Sequence, residues 1–220
     1  LSVDKAISFD LADHIAATSR FVIVDDYEIR GGGIISDALP DEQSDMRDYV
    51  MRRNYKWETS TISRDDRAER YNQKATLVLI TGEKNVGKKQ LAKALEARLF
   101  SEGKIVYFLG IGNILYGVDA DIKNDNGNGK NRHEHLRRLA EVSNVMLDAG
   151  IILVVTAVSL THDDLEIIKA AVDTNMIEVV WVGDSPTDIQ YDVLAQSGSV
   201  EDDIDTIKKV MQDKGIIFRV

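Results

Sequence analysis

The chain has no cysteine. That excludes disulfides and any thiolate metal site. It has little positive charge for its length: 27 Lys and Arg stand against 37 Asp and Glu, a formal net charge of −10. A surface that coats nucleic acid needs a basic footprint, so nucleic acid is not an expected partner. No apolar run reaches the ~20 residues that span a bilayer, and Leu1-Ser2-Val3-Asp4 has neither the basic start nor the apolar stretch of a signal peptide. A cytoplasmic protein with no membrane partner is the expectation. The chain starts mid-pattern without Met, which suggests a piece of a longer polypeptide. What is present is ordinary for a globular protein: 220 residues, 44% apolar and 29% charged, enough for a full core in one or two domains.

Residues 1–37 read as β structure. Phe21-Val22-Ile23-Val24 is a strand, Asp25-Asp26-Tyr27-Glu28 a turn, and Gly31-Gly32-Gly33-Ile34-Ile35 a return strand bent by glycine. Residues 38–53 read as an acidic linker ending towards a short helix. Residues 54–75 are an ordered lead-in, with Ser63 capping a helix and Asp66 closing the box. From 76 onward strands and helices alternate. Strands are expected at 76–81, 104–109, 151–158, 177–182 and 216–219, and helices near 88–101, 132–149, 163–172 and 201–213. The strands are continuous apolar runs, as in Ile151-Ile152-Leu153-Val154-Val155, which belong to strands covered on both faces. The expected fold is therefore α/β: three layers around a parallel sheet, after a short β segment. Ligands of such sheets sit beyond the carboxyl ends of the strands. Lys123 to Lys130, rich in Asn and Gly, reads as a mobile loop.

The motif with chemical content is Thr81-Gly82-Glu83-Lys84-Asn85-Val86-Gly87-Lys88-Lys89. It follows an apolar strand and opens a helix. In G-x-x-x-x-G-K-[S/T] the backbone N–H groups cradle phosphates, the lysine reaches the β- and γ-phosphates, and the final hydroxyl holds Mg²⁺. Residues 82–89 are thus the candidate site for ATP or another nucleotide. Lys89 replaces the hydroxyl, and an ammonium cannot coordinate a cation, so Mg²⁺ lacks its usual protein ligand. No metal set is assigned. The histidines His14, His133, His135 and His162 read as surface or capping residues, with His133 and His135 on different sides of a helix. Asp163 and Asp164 read as the acidic first turn of a helix after Thr161. Asp119 and Asp121 are a minor alternative for Mg²⁺. Arg132, Arg137 and Arg138 suit an anion, or else form a solvated face paired with Glu134 and Glu141. Trp57 and Trp181 read as core or interface residues.

Several separated motifs together resemble the adenylylsulfate kinases. They are the phosphate loop, Asn54-Tyr55-Lys56-Trp57 with Ile62-Ser63-Arg64-Asp65-Asp66-Arg67, then Arg132 with Leu136-Arg137-Arg138-Leu139-Ala140-Glu141-Val142, and Asp148-Ala149-Gly150-Ile151-Ile152. The resemblance covers roughly residues 52–185. It implies transfer of the ATP γ-phosphate to the 3′-hydroxyl of adenylyl sulfate, with Asn113, Arg132, Arg137 and Ser159 in substrate-binding positions over a P-loop domain at 54–220. A second resemblance joins Ile7-Ser8-Phe9-Asp10, Arg20-Phe21-Val22-Ile23-Val24-Asp25 and Gly31-Gly32-Gly33-Ile34-Ile35 to the end of the elongation-factor-like GTPase subunit of sulfate adenylyltransferase. The two resemblances together imply a P-loop kinase fold after a short β-barrel remnant at 1–37, and a fusion of the two activities in sulfate assimilation. The implied partners are the adenylyltransferase part of the same polypeptide and its small subunit, and a homodimer is compatible with it.

The pattern also breaks. Where the family has Leu-Asp-Gly-Asp-Asn, this chain has Leu109-Gly110-Ile111-Gly112-Asn113, and the following arginine is Leu115. The substrate-contacting asparagine is His135. Phe-Ile-Ser-Pro-Tyr-Arg becomes Ala157-Val158-Ser159-Leu160-Thr161-His162, and the basic lid after Asp184-Ser185-Pro186 is missing. No catalytic residue is assigned. The expectation is an adenylylsulfate-kinase domain with impaired or lost catalysis. The alternatives are a catalytically silent module that binds nucleotide or adenylyl sulfate or only braces its neighbour, and a P-loop enzyme of changed substrate.

Overall fold

The computed structural model describes residues 9–37, 44–122, 129–196 and 198–218. Of the expected loop Lys123 to Lys130, residues 123–128 lie outside them, as do the first linker residues 38–43 and Ile7 and Ser8, while Gly129 and Lys130 open a helix instead. Cα packing divides the chain into two compact units, Leu1–Ser44 and Asp45–Val220.

The first unit is an antiparallel hairpin of β1 (Arg20–Asp25) and β2 (Glu28–Ile34). Asp26 and Tyr27 form the turn at φ 48° and 63°. Two consecutive positive φ values are what a two-residue hairpin demands, because they match the strands' right-handed twist. The return strand therefore starts at Glu28, earlier than the glycine run suggests. Among the described residues there is no closed barrel.

In the second unit, α1 (Ser44–Tyr55) occupies much of the stretch read as linker. α2 (Arg64–Tyr71) starts at the Ser63–Asp66 capping box and stops at Asn72 in the left-handed conformation. The core then runs β3 (Thr76–Gly82), α3 (Lys88–Ser101), β4 (Val106–Leu109), α4 (Ile111–Asn113) with a π-helical turn over Ile114–Val118, α5 (Gly129–Asp148), β5 (Ile152–Thr156), α6 (His162–Ala171), β6 (Ile177–Val182), β7 (Val193–Ala195) and α7 (Val200–Asp213). All five core strands are parallel, in the order β4-β5-β3-β6-β7.

Alternate residues of the apolar strands face opposite layers. Leu77, Leu79, Leu153, Val155 and Val179 pack with Leu139 and Ala140 of α5 and Leu165 and Ile168 of α6. Val78, Ile80, Val154 and Val180 pack with Leu91, Leu95 and Leu99 of α3 and Ile204 and Ile207 of α7. Trp181 belongs to the first cluster.

The edge strand corrects one expectation. Ile216-Ile217 is buried yet makes only an isolated antiparallel bridge, Gln73 to Ile217. The fifth strand is Val193–Ala195, paired to β6. Burial alone accounts for the apolar letters at 216–217.

Candidate phosphate-binding site

β3 carries Thr81 and Gly82 to the carboxyl edge of the sheet. A Cβ on Gly82, at φ +144°, would lie 2.3 Å from the Val182 carbonyl oxygen of β6. Only glycine lets the chain turn away here. Asn85 (φ 69°) and Gly87 (φ 83°) curl the loop further, and α3 begins at once, with Gln90 and Leu91 N–H bonding back to Gly87. The segment is curled, as a phosphate cradle requires.

The Lys88 ammonium lies inside that curl, 7% exposed. It donates to the carbonyls of Gly82 (2.9 Å) and Glu83. Burial lowers its pKa, and the charge of Glu83 opposes that shift. Lys89, Lys84, Glu83 and Asn85 are exposed. The first turn of α3 holds no acidic residue. Two lysines thus sit at the positive end of a helix dipole, an arrangement that favours a bound anion.

The loop after β5 is tied to this cradle. Ser159, at φ 43°, donates its N–H to Gly82 O (2.9 Å), and Leu160 N–H bonds Thr81 Oγ1 (3.2 Å). Thr161 and Asp164 form the capping box of α6. Arg132 of α5 grips the same corner. Its Nη2 lies 2.7 Å from Asp164 Oδ2 and 3.1 Å from Ser159 O, and its Nε is 3.0 Å from Asp164 Oδ1. Arg132 holds Asp164 ionised against the cost of burial.

The remaining sequence-selected residues divide. Asn113 lies just beyond the carboxyl end of β4, exposed, with its N–H on Gly110 O. Arg137 is turned elsewhere: it is paired with Glu134 (2.7 Å) and stacked over the Tyr49 ring of α1 at 4.9 Å. That is the paired face given above as the alternative to anion binding. Arg138 pairs with Glu134 (2.8 Å) and with Asp121. Hydrogen bonds from Arg137 and Arg138 hold Glu134 down at about 2, against its burial. Asp119 is buried against His135, so it is a histidine partner here rather than an open ligand pair with Asp121. His133 and His162 are exposed. Sequence reasoning missed Asp164 as the partner of Arg132, and the pairing of Asp119 with His135.

Two clefts lie among the helices. One, of about 290 Å³, is lined by Arg53, Trp57, Arg64, Asn144 and Lys169. The other, of about 740 Å³, borders the first residues of β6, where Lys214 bridges Glu178 (2.7 Å) and Asp192 (2.6 Å).

The sequence profile of the adenylylsulphate kinase family matches residues 74–192, over half of the chain. The chain belongs to this family. An adenylyl-sulfate kinase of Aeromonas hydrophila is 32% identical over 136 residues, 62% of this chain and 67% of that protein. The bifunctional enzyme NodQ of Rhizobium tropici is 28% identical over 190 residues, 86% of this chain and 28% of that protein. The chain thus spans little more than a quarter of the NodQ length. Among solved structures, the Mycobacterium tuberculosis APS kinase CysC Cys556Ala mutant aligns with a TM-score of 0.56 at 22% identity, over 64% of this chain and 99% of that one. A hexameric APS kinase from Thiobacillus denitrificans aligns with a TM-score of 0.57 at 16% identity, over 68% and 31%. At these identities the structural likeness establishes the P-loop kinase fold of this family member. Among the described residues, no helix is long and apolar enough to cross a membrane.

Proposed function

We propose that residues 54–220 form an adenylylsulfate-kinase module of sulfate activation. It binds nucleotide at Gly82 to Lys89 and adenylyl sulfate beyond the carboxyl ends of β4 and β5, with phosphoryl transfer impaired. The observation that carries this reading is the curled loop with a buried Lys88 and with Lys89 at the magnesium position. The curl and the acid-free first turn of α3 fit a polyphosphate. The ammonium at position 89 does not fit the metal that bridges phosphates in this chemistry. Asn113, Arg132 and Ser159 are the acceptor-side residues in this reading, with Arg132 acting largely by fixing the loop that carries Ser159.

A related APS kinase, CysC of Mycobacterium tuberculosis, has been solved with AMPPNP and APS, which supports the choice of ligands. NodQ is a bifunctional enzyme. By that likeness, residues 1–37 are the end of an adenylyltransferase GTPase-type subunit in the same polypeptide, residues 38–53 connect it to the kinase module, and the small adenylyltransferase subunit is the further partner.

A coupled assay with ATP and adenylyl sulfate tests the reading. Turnover at least about 10²-fold below the usual kinase range of ~1–100 s⁻¹ is expected, with calorimetric binding of ATP retained. A rate inside that range contradicts the impairment. Failure to bind either ligand leaves a bracing role for the neighbouring enzyme.

A further inference from the structure

Asp119 is the most deeply buried carboxylate beyond the edge of the sheet. Its side chain is fully shielded, Oδ2 meets His135 Nδ1, and Oδ1 is buried with no hydrogen-bond partner. Arg138 Nη1 approaches Oδ1 only to 3.8 Å and is engaged by Asp121 and the Val118 carbonyl. A carboxylate buried with one oxygen unpaired is unfavourable to keep. A mere staple between the π-turn and α5 could be built from neutral groups. A carboxylate aimed at one ring nitrogen does something a staple does not: it fixes the tautomer, frees the other nitrogen as an acceptor, and stabilises the imidazolium once that nitrogen takes a proton.

The pair also joins the segment after β4 to α5, the helix that carries Arg132. Asp119 closes the π-turn through its N–H on Ile114 O, and that turn follows α4 after the carboxyl end of β4, the end at which ligands of parallel sheets bind. His135 lies one helical turn after Arg132, which bonds Ser159, which in turn bonds Gly82 of the phosphate loop. His135 keeps 22% of its side chain exposed while Asp119 keeps none, so the histidine is the open end of the pair. Gly110 and Gly112, nearby on the same rim, carry no side chain that could accept a proton.

We propose that His135 is the general base for the hydroxyl acceptor in whatever transfer this module retains, with Asp119 as its positioning residue. This rests on the nucleotide reading above. The acceptor oxygen forms its bond to the γ-phosphorus of ATP as the bond from that phosphorus to the β–γ bridging oxygen breaks. ADP leaves with that electron pair, and the hydroxyl proton moves to His135 Nε2. The imidazolium so formed is held by Asp119, with Asp121, Glu134 and Arg138 as the other charged groups around it.

The test is steady-state turnover of the wild type, H135Q, H135A and D119N, with ATP affinity measured alongside. H135Q and D119N are expected to lose about 10²-fold or more of the residual rate while still binding ATP. Added imidazole is expected to restore part of the H135A rate, a rescue that a purely structural histidine would not show and that does not depend on D119N folding. Wild-type rates in H135Q, or a higher rate in H135N, overturn the proposal. A wild type that binds ATP but transfers nothing also overturns it and leaves the nucleotide reading intact. Absence of ATP binding overturns both.

Discussion

Lys89 and Lys88 differ by one position and by their whole chemistry. Lys88 is buried in the curl of its own loop, while Lys89 is exposed on the first turn of α3. Restoring a hydroxyl with K89T is expected to make ATP binding tighter in the presence of Mg²⁺ than in its absence. Titrations of the variant in Mg²⁺ and in EDTA check this, and identical affinities would count against Lys89 as an obstacle to Mg²⁺. Gly82 is under a different constraint. Its φ and the 2.3 Å approach to Val182 O leave no room for a methyl group, so G82A is expected to destabilise the fold by roughly 1–3 kcal/mol and to abolish nucleotide binding. Thermal unfolding and a binding titration read the two effects separately. The loop was legible in the sequence because its chemistry is local: glycines, lysine, strand before and helix after. The pairing of Asp119 with His135 was not. The two are sixteen positions apart in the chain, and neither helical nor strand spacing brings them together.

At the scale of elements, the strands that read most clearly are those covered on both faces. β3 is buried along its whole length, and so are β5 and β6, because continuous apolar runs have no solvated side. β7 is three residues at the edge of the sheet, too short to show a period, and Ile216-Ile217 imitated it by being buried without a strand partner. Helix starts were legible wherever a capping side chain writes them. Ser63→Ala removes one such cap and should cost about 1 kcal/mol, read by chemical denaturation. α5 is instead laced by charge. Glu134 is held down at about 2 by Arg137 and Arg138. A carboxylate depressed in the folded state stabilises above its unfolded value of 4.5, and that contribution is lost as pH falls from there towards 2. Stability of the wild type should therefore drop relative to E134Q across that window, and parallel curves for the two proteins would show that the network contributes nothing.

Taken whole, the second unit has the P-loop kinase fold of its family, while residues on the rim of the sheet depart from the family pattern. The sheet, both helical layers and the curled loop persist because they are fixed by burial and backbone conformation, which tolerate change at the rim. Lys89, Gly110 and Gly112 sit on that rim, and under the proposed function a substitution there costs activity without costing the fold. The most direct measurement is a calorimetric titration of the protein with ATP, once in EDTA and once with Mg²⁺. Binding in EDTA that Mg²⁺ fails to strengthen is the predicted result. Binding that appears only with Mg²⁺, or no binding in either buffer, would contradict a phosphate cradle working without its metal.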